Sequence, residues 1–581
     1  MNLGDARTLR YYVNLEMLTR DGVTLRANLI RPDDDIQYPI VMLRLPYGKD
    51  EFCENEKDEL NPWKIADRGY NVVIQDCRGF GLSEGEPTID GENDIKDGYD
   101  AVEWAGTQSW GNGKVGMYGL SFFGFVQISA ASQRPPHLVT ACPFMCSSQY
   151  PITVNTGGSF VLGHIQWLYG EAQKQLRNMK ISEVERERIF EEIEKNRPTL
   201  NEQFLKYIPM TTMPSINIEG FPHIHEFMEA VNGMDDLSYW KRSGIPFDMH
   251  SITIPMLHMT GWNDGVRDRT IQNYTLICQA GGSELARNNQ RLVVGPWTHG
   301  SAMLQKVGTI NYGSGSSGKD FGVLEMIISW FDYWLKGKDT GYKNTPNVQY
   351  FTLGENKWHS ASAWPVPEAE MRDFYLGSDG NARSNKGDGQ LALTQTGKAV
   401  EDTYLHNPHN PVPATPEGEF PTNGNMSSIQ SREDVLVYST VPLQKSVNVT
   451  GLVKVTVFAA FDAEDGDLWC RLTDVDEKGN ARMLLQGMVR AKYRESMLKA
   501  VPVPAGKIEK YEIELGNISN LFLKGHQIRI DIAGSCFPAG DINSGTLAHT
   551  GYATEMKKAV HHIFHNAEYP SALHLPILHN A

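Results

Sequence analysis

Between Tyr11 and Ile30 apolar and polar residues alternate on either side of a turn: Val13 to Met17, then Asp21-Gly22, then Thr24 to Ile30. Period-two alternation around Asp-Gly predicts an antiparallel hairpin. The rhythm then changes to short, nearly unbroken apolar runs, Ile40 to Leu43, Val72 to Ile74 and Val115 to Tyr118, separated by segments that read as helices. A strand covered on both faces has no polar side, so such runs alternating with helices predict a doubly wound, mostly parallel sheet. Past Pro143 the pattern breaks. The segment 146–246 is rich in Glu, Lys, Gln and Met, with helical spacing from Ile181 to Asn196, and reads as a helical insertion.

Strand-like runs resume at Pro255 to Met259 and Arg291 to Val294, as if the same sheet continued, and a long helix ends near Leu335-Lys336-Gly337. From Val348 the texture is of short alternating strands between Gly, Asn, Asp and Pro turns, such as Val453 to Phe458 and Gln527 to Ile532, which predicts a β-sandwich. His406 to Asn425 reads as a long loop within it. The expected organisation is an α/β core in two parts, 1–145 and 247–345, with a helical cap at 146–246 and a sandwich at 346–581. Several domains suit a chain of 581 residues, since single cores stop growing near ~250–300 residues.

Hydrophobic residues at 40% and charged residues at 21% place the chain among folded globular proteins. The formal charge of −16, without a Lys/Arg run to offset it, argues against nucleic acid and anionic membranes as partners. The opening Met1 to Asp5 carries no export signal, and the most apolar helix, Val323 to Leu335, is too short to cross ~30 Å of hydrocarbon. Seven scattered cysteines without a C-x-x-C pair suit reduced thiols, and hence a cytoplasmic location. His561-His562 with His565 is the one histidine cluster to weigh as a metal site. On a helix, 561 and 565 would share a face, but no carboxylate or Cys completes the set, so no metal or cofactor is expected.

The candidate chemistry lies at strand ends. Val115 to Gly119 runs into Leu120-Ser121-Phe122-Phe123-Gly124 and then into the helical Phe125 to Ser132. A nucleophile elbow needs a serine on a strained strand-to-helix turn with small neighbours, although Gly124 stands one place later than in G-x-S-x-G. The serine needs a histidine to take its proton and a carboxylate to orient that histidine. Asp264 follows the strand Pro255 to Met259 in Gly261-Trp262-Asn263-Asp264-Gly265, and His299 follows Leu292 to Val294 in Gly295-Pro296-Trp297-Thr298-His299. Taken singly, Asp264 also reads as a turn former and His299 as a loop residue. Three strand ends carrying Ser, Asp and His in that chain order match the α/β-hydrolase pattern. After Ile40 to Leu43, the run Arg44-Leu45-Pro46-Tyr47 occupies the loop that contributes to an oxyanion hole, with the Phe122 backbone N–H as one donor and the Tyr47 hydroxyl as the other.

These motifs, with Asp76-x-Arg78-Gly79-x-Gly81-x-Ser83-x-Gly85 and the C-terminal segments Arg432 to Tyr438, Leu472 to Asp476 and Lys524 to Arg529, make the chain similar over nearly its whole length to a known family. It resembles the bacterial serine hydrolases that include cocaine esterase, X-prolyl dipeptidyl-peptidases, glutaryl-cephalosporin acylases and α-amino-acid ester hydrolases. The resemblance implies an α/β-hydrolase core with an inserted helical cap and a C-terminal jelly-roll β-sandwich. It places Ser121, Asp264 and His299 at the triad and Tyr47 at the oxyanion tyrosine, and makes the Arg78 turn structural. A small ester or amide would be the substrate. The amino-ester members carry acids two and three places past the triad Asp, where this chain has Val266 and Arg267, so an ammonium site is not expected. Arg267 facing the pocket would instead hold an acyl carboxylate; facing away, it would pair with Asp268 in solvent.

X-prolyl dipeptidyl-peptidase activity and acyl transfer by the same triad stand as alternatives, and a non-catalytic carbohydrate-binding protein as a rival of another class. The number of subunits, including a homo-oligomer, is left open.

Overall fold

The computed structural model describes residues 7–54, 60–87, 92–148, 155–177, 179–222, 224–233, 236, 238–239, 249–299, 304–395, 400–415 and 424–579. Its first sheet has ten strands: β1 (Leu9–Leu18), β2 (Thr24–Pro32), β3 (Tyr38–Leu45), β4 (Asn71–Asp76), β5 (Gly111–Leu120), β6 (Leu138–Phe144), β7 (Leu257–Asn263), β8 (Arg291–Thr298), β9 (Val348–Thr352) and β10 (Lys357–Ala361). They lie in the order β1-β2-β4-β3-β5-β6-β7-β8-β9-β10. Neighbours from β4 through β9 run parallel, flanked by the antiparallel β1–β2 hairpin at one edge and β10 at the other.

Alternation along β3 shows why its sequence lacks a polar face. Ile40 and Met42 pack with Ala101, Val102 and Ala105 of helix α1 (Glu92–Gly106) and Ile128 of helix α2 (Phe122–Ser132). Val41 and Leu43 point to the other side, against Ile327, Phe331 and Leu335 of the helix Val323–Lys336. Both faces are therefore buried under helices, as a parallel sheet requires. One expectation shifts. Val348–Thr352, assigned from its texture to the sandwich, pairs parallel with β8, and the core sheet runs on to Ala361. Period-two alternation at a sheet edge looks the same in either domain, so only pairing distinguishes them.

The inserted segment holds helix α3 (Gly163–Leu176) and helix α4 (Glu183–Asn196), with shorter helices at Leu200–Lys206 and Ile224–Asn232. Ser182 caps α4 by accepting from the Glu185 backbone N–H at 3.2 Å, which sets the start of the helix just after Ile181. Ile165, Leu168, Ile189, Ile193 and Phe204 close the insertion over Phe122 and Phe125 of α2. Part of the expected cap, including 240–246, and part of the expected loop, 416–423, lie outside the described residues.

From Ala369–Gly377 to Ala572–Leu578 eleven strands bond into one folded sheet around Val453, Val455, Val457, Ile528, Ile530 and Ile532, forming the C-terminal β-sandwich. Trp262, Tyr350 and Phe351 of the first sheet join the same core, so the two parts share buried surface. The C-terminal histidines differ from expectation. His561 and His562 lie on a strand, Ala559–Phe564, where successive side chains face opposite ways. His561 is buried against the Tyr404 hydroxyl at 2.9 Å, His562 pairs with Glu401 at 3.0 Å, and buried His565 with Asp402 at 3.0 Å. They are divided among separate partners within the sandwich domain. Among the described residues, no helix is long and apolar enough to cross a membrane.

Candidate active site

The sheet gathers Ser121, Asp264 and His299 at the C-terminal ends of β5, β7 and β8. Ser121 caps α2 at φ 58° and ψ −124°, a left-handed conformation that a side chain adopts only when its surroundings enforce it. Those surroundings are visible. The Ser121 backbone N–H donates to the Phe144 carbonyl at 2.9 Å, while the Ser121 carbonyl accepts from Gly124 and Phe125 at 2.9 and 3.0 Å. A Cβ on Gly124 would stand 2.7 Å from Cys146 and 2.9 Å from the Phe144 carbonyl, so this position, although one place late, supplies the close helix–strand approach that the turn needs.

His299 bridges the other two residues. Its Nε2 lies 2.9 Å from Ser121 Oγ, and its Nδ1 lies 3.0 Å from Asp264 Oδ1. The Asp264 carboxylate is fully buried, whereas the imidazole keeps 40% of its surface toward the cleft. Burial of that carboxylate is offset by the Val266 backbone N–H on Oδ1 at 2.9 Å and the Thr260 hydroxyl on Oδ2 at 3.1 Å. Burial by itself lowers the His299 pKa, but the charge and hydrogen bond of Asp264 outweigh it, and the net direction is upward. Neutral His299, held by Asp264 with Nε2 as acceptor, is placed to take the Ser121 proton.

Tyr47 follows β3 and turns its hydroxyl toward Ser121 and the Trp167 side chain of α3. Its ring packs on Phe123 with centroids 5.4 Å apart, under the Lys174 ammonium at 4.8 Å. Burial, helped by the charge of Glu171, drives the phenol's pKa well above its ordinary value against the opposing influence of Trp167 and Ser121. It therefore remains a proton donor at neutral pH. The Tyr47 loop is anchored through Asp76 at the end of β4, whose Oδ1 accepts from the Lys49 backbone N–H at 2.7 Å and whose Oδ2 accepts from Leu82 at 3.0 Å. Arg78 in turn holds Asp97 at 2.6 Å and Asp21 at 2.9 Å, a structural turn as the motif suggests. Phe122 is the first residue of α2, where a backbone N–H has no partner within the helix. With the Ser121 N–H already committed, Phe122 N–H and Tyr47 O–H are the donors left to face negative charge beside Oγ.

A cleft of about 1760 Å³ runs from Ser121 and His299 along the insertion and the sandwich. Val266 lines it. Arg267 pairs with Asp268, as one form of the expectation holds, but inside the protein and not in solvent. It is buried, donates to the Trp262 carbonyl at 2.6 Å and to Asp268 at 2.9 Å, and is occupied by the protein. Asp268 also accepts from the Asn517 backbone and side chain at 2.6 and 2.9 Å, so this pair clamps the helix α5 (Arg267–Ala280) to the sandwich. Sequence reasoning passed over Thr260, Trp167 and Lys174. Thr260, four residues before Asp264 on the same strand, left a faint signal; the two cap residues left none.

A doubly wound sheet with Ser, Asp and His at the C-terminal ends of its strands under a helical lid defines a serine hydrolase of the α/β-hydrolase class. Comparison with known proteins refines this. Residues 21–301 match the X-Pro dipeptidyl-peptidase (S15) family, and residues 340–574 match the X-Pro dipeptidyl-peptidase C-terminal non-catalytic domain. The cocaine esterase of Rhodococcus sp. (strain MB1 Bresler) is 30% identical over 579 residues, covering 97% of this chain and 98% of that one. The chain belongs to this family of serine hydrolases. Among solved structures, an α-amino acid ester hydrolase has a TM-score of 0.81 at 20% identity over 99% of this chain and 98% of that one. An aminopeptidase from the marine sediment archaeon Thaumarchaeota archaeon has a TM-score of 0.80 at 22% identity over 99% and 97%. Both share the whole fold.

Proposed function

We propose that the protein is an esterase for small acyl esters, working through an acyl-enzyme on Ser121. Ser121 Oγ attacks the ester carbonyl as His299 Nε2 takes its proton; Asp264 stabilises the imidazolium and fixes the ring. Charge on the carbonyl oxygen is met by Tyr47 O–H and Phe122 N–H. His299 then gives the proton to the leaving alcohol, and water repeats the sequence to release the acid. The observation that carries this reading is the His299 bridge, 2.9 Å to Ser121 and 3.0 Å to Asp264.

The carboxylates around the cleft support an ester over a peptide bearing a free N-terminus. Asp268 is tied to Arg267, Glu171 to Lys174, Glu512 to Lys510 and Glu514 to Lys454. An ammonium entering a partly dry cleft needs a carboxylate not already neutralised, and the described residues offer Asp264 alone, which belongs to His299. The formal charge of −16 favours a small-molecule substrate over nucleic acid or an anionic membrane, and seven free cysteines favour the cytoplasm. The test is Ser121→Ala with p-nitrophenyl butyrate, paired with fluorophosphonate labelling and peptide mass mapping. Turnover should fall by several orders of magnitude with the melting temperature kept, and the label should sit on Ser121. Full activity in Ser121→Ala would overturn the reading.

A further inference from the structure

The cleft contains five basic side chains, Arg267, Arg269, Lys306, Lys454 and Arg494. Three are spoken for. Arg267 is bound to Trp262 and Asp268, Lys454 meets Glu514 at 2.7 Å, and Arg494 donates to the carbonyls of Ala491, Val501 and Pro502 at 2.9–3.1 Å. Lys306 is exposed. Arg269 is different. It lies on the first turn of α5, five residues past Asp264, half-buried in the cleft wall, and among the described residues its guanidinium makes no hydrogen bond or ion pair.

A guanidinium has five N–H donors and stays charged, so leaving it half-buried without an acceptor is costly. Burial pushes the Arg269 pKa below its ordinary value, and Asp268 and Glu514 oppose that from a distance. Neither acid takes the role of partner. Asp268 is filled by Arg267 and Asn517, while Glu514 is 65% exposed and drawn outward by Lys454. A planar acid fits what remains, because a carboxylate accepts two parallel N–H bonds from one guanidinium and restores what desolvation removes.

We infer that Arg269 forms an anion subsite, and that the preferred esters carry a carboxylate on the part of the substrate remote from the scissile bond. This rests on the esterase reading and names its substrate class. It also moves the anion-binding role from Arg267, which the fold uses as a clamp, to the arginine two places further on.

The test compares wild type and Arg269→Gln on the mono-p-nitrophenyl esters of succinate, glutarate and adipate, each against the same compound with its free acid methylated. 4-Acetoxybenzoate against its methyl ester probes a carboxylate on the leaving group. In wild type at least one free acid should exceed its methylated counterpart in kcat/KM by about 10-fold or more, and Arg269→Gln should lower that ratio by about 10- to 100-fold, as for loss of charge-assisted hydrogen bonds. A ratio near one for every pair, or one that survives in Arg269→Gln, overturns the inference while leaving the esterase reading intact. Titration of Ser121→Ala with glutarate by calorimetry, with and without Arg269→Gln, reads the subsite independently of turnover. Equal binding by both proteins overturns it. So does a drop in melting temperature in Arg269→Gln that Glu514→Gln reproduces, with acid preference unchanged, which would mean that Glu514 is the partner in solution.

Discussion

Tyr47→Phe removes one oxygen atom from the site and little else. The ring stays packed on Phe123 at 5.4 Å and under Lys174 at 4.8 Å, because neither contact involves the hydroxyl. The loop stays anchored through the Lys49 backbone bond to Asp76 at 2.7 Å. Two things are lost. The Trp167 side chain loses a polar neighbour. The oxyanion loses one of two donors, which in comparable sites lowers kcat by about 10²–10³, or about 2.7–4 kcal/mol of transition-state stabilisation. The hydroxyl serves the developing charge more than the ground-state carbonyl, so KM should change little.

Stopped-flow and steady-state kinetics with p-nitrophenyl butyrate would separate acylation from deacylation, and both should slow, since both pass through an oxyanion. Thermal melting on the same samples checks the fold. Wild-type kcat in a folded Tyr47→Phe protein would refute the assignment, and would mean that a backbone N–H beyond Phe122 supplies the second donor.

Other consequences follow from the same geometry. Activity should fall as pH drops through the pKa of His299, and because Asp264 raises that pKa the acid limb should lie above the ~6.5 of free imidazole; a limb centred below that value in kcat/KM would contradict the pairing. The same shift means that the charged His299–Asp264 pair adds stability below about pH 6.5 that is lost as pH rises through the folded pKa, which melting of Ser121→Ala against pH would register. Thr260→Val keeps the shape but removes the bond to Asp264 Oδ2, and kcat should drop by roughly 5–10-fold with KM unchanged, against no change if Thr260 is only a strand residue. Gly124→Val places methyl groups where a Cβ alone meets Cys146 at 2.7 Å, and should cost about 1–3 kcal/mol or more in urea unfolding; wild-type stability would show that the elbow has room to spare. Finally, p-nitrophenyl butyrate should exceed a p-nitrophenyl amino-acid ester in kcat/KM, and the reverse order would point to a carboxylate outside the described residues.

The elements that hold the site were readable because each is a local pattern. Apolar runs gave β3, β4 and β5, Asp-Gly marked the opening hairpin, and strand-end motifs marked Ser121, Asp264 and His299. Other features escaped for a physical reason in each case. Val348–Thr352 has the alternation of a sandwich strand, and only its pairing with β8 puts it in the first sheet. At helical spacing His561 and His565 would share a face, yet the chain runs there as a strand and the turn after it, and buries them against Tyr404 and Asp402 more than 150 residues away in sequence.

The amino-acid sequence by itself determined the class of chemistry. A strained serine turn, a carboxylate and a histidine at three strand ends need only short-range information, because each is specified by the residues of its own strand and turn. Tertiary structure decided how they are set and what they serve. Thr260 and Val266 satisfy the buried charge of Asp264, and Trp167 and Lys174 reach Tyr47 from a helix inserted elsewhere in the chain. Arg267 and Arg269 show the division most plainly. They are identical residues two positions apart on one helix turn, and sequence cannot tell them apart. The side chains of a helix diverge by about 200° over two residues, so one is spent on the Trp262 carbonyl and Asp268 beside Gly516 of the sandwich, while the other is left without a protein acceptor in the cleft wall.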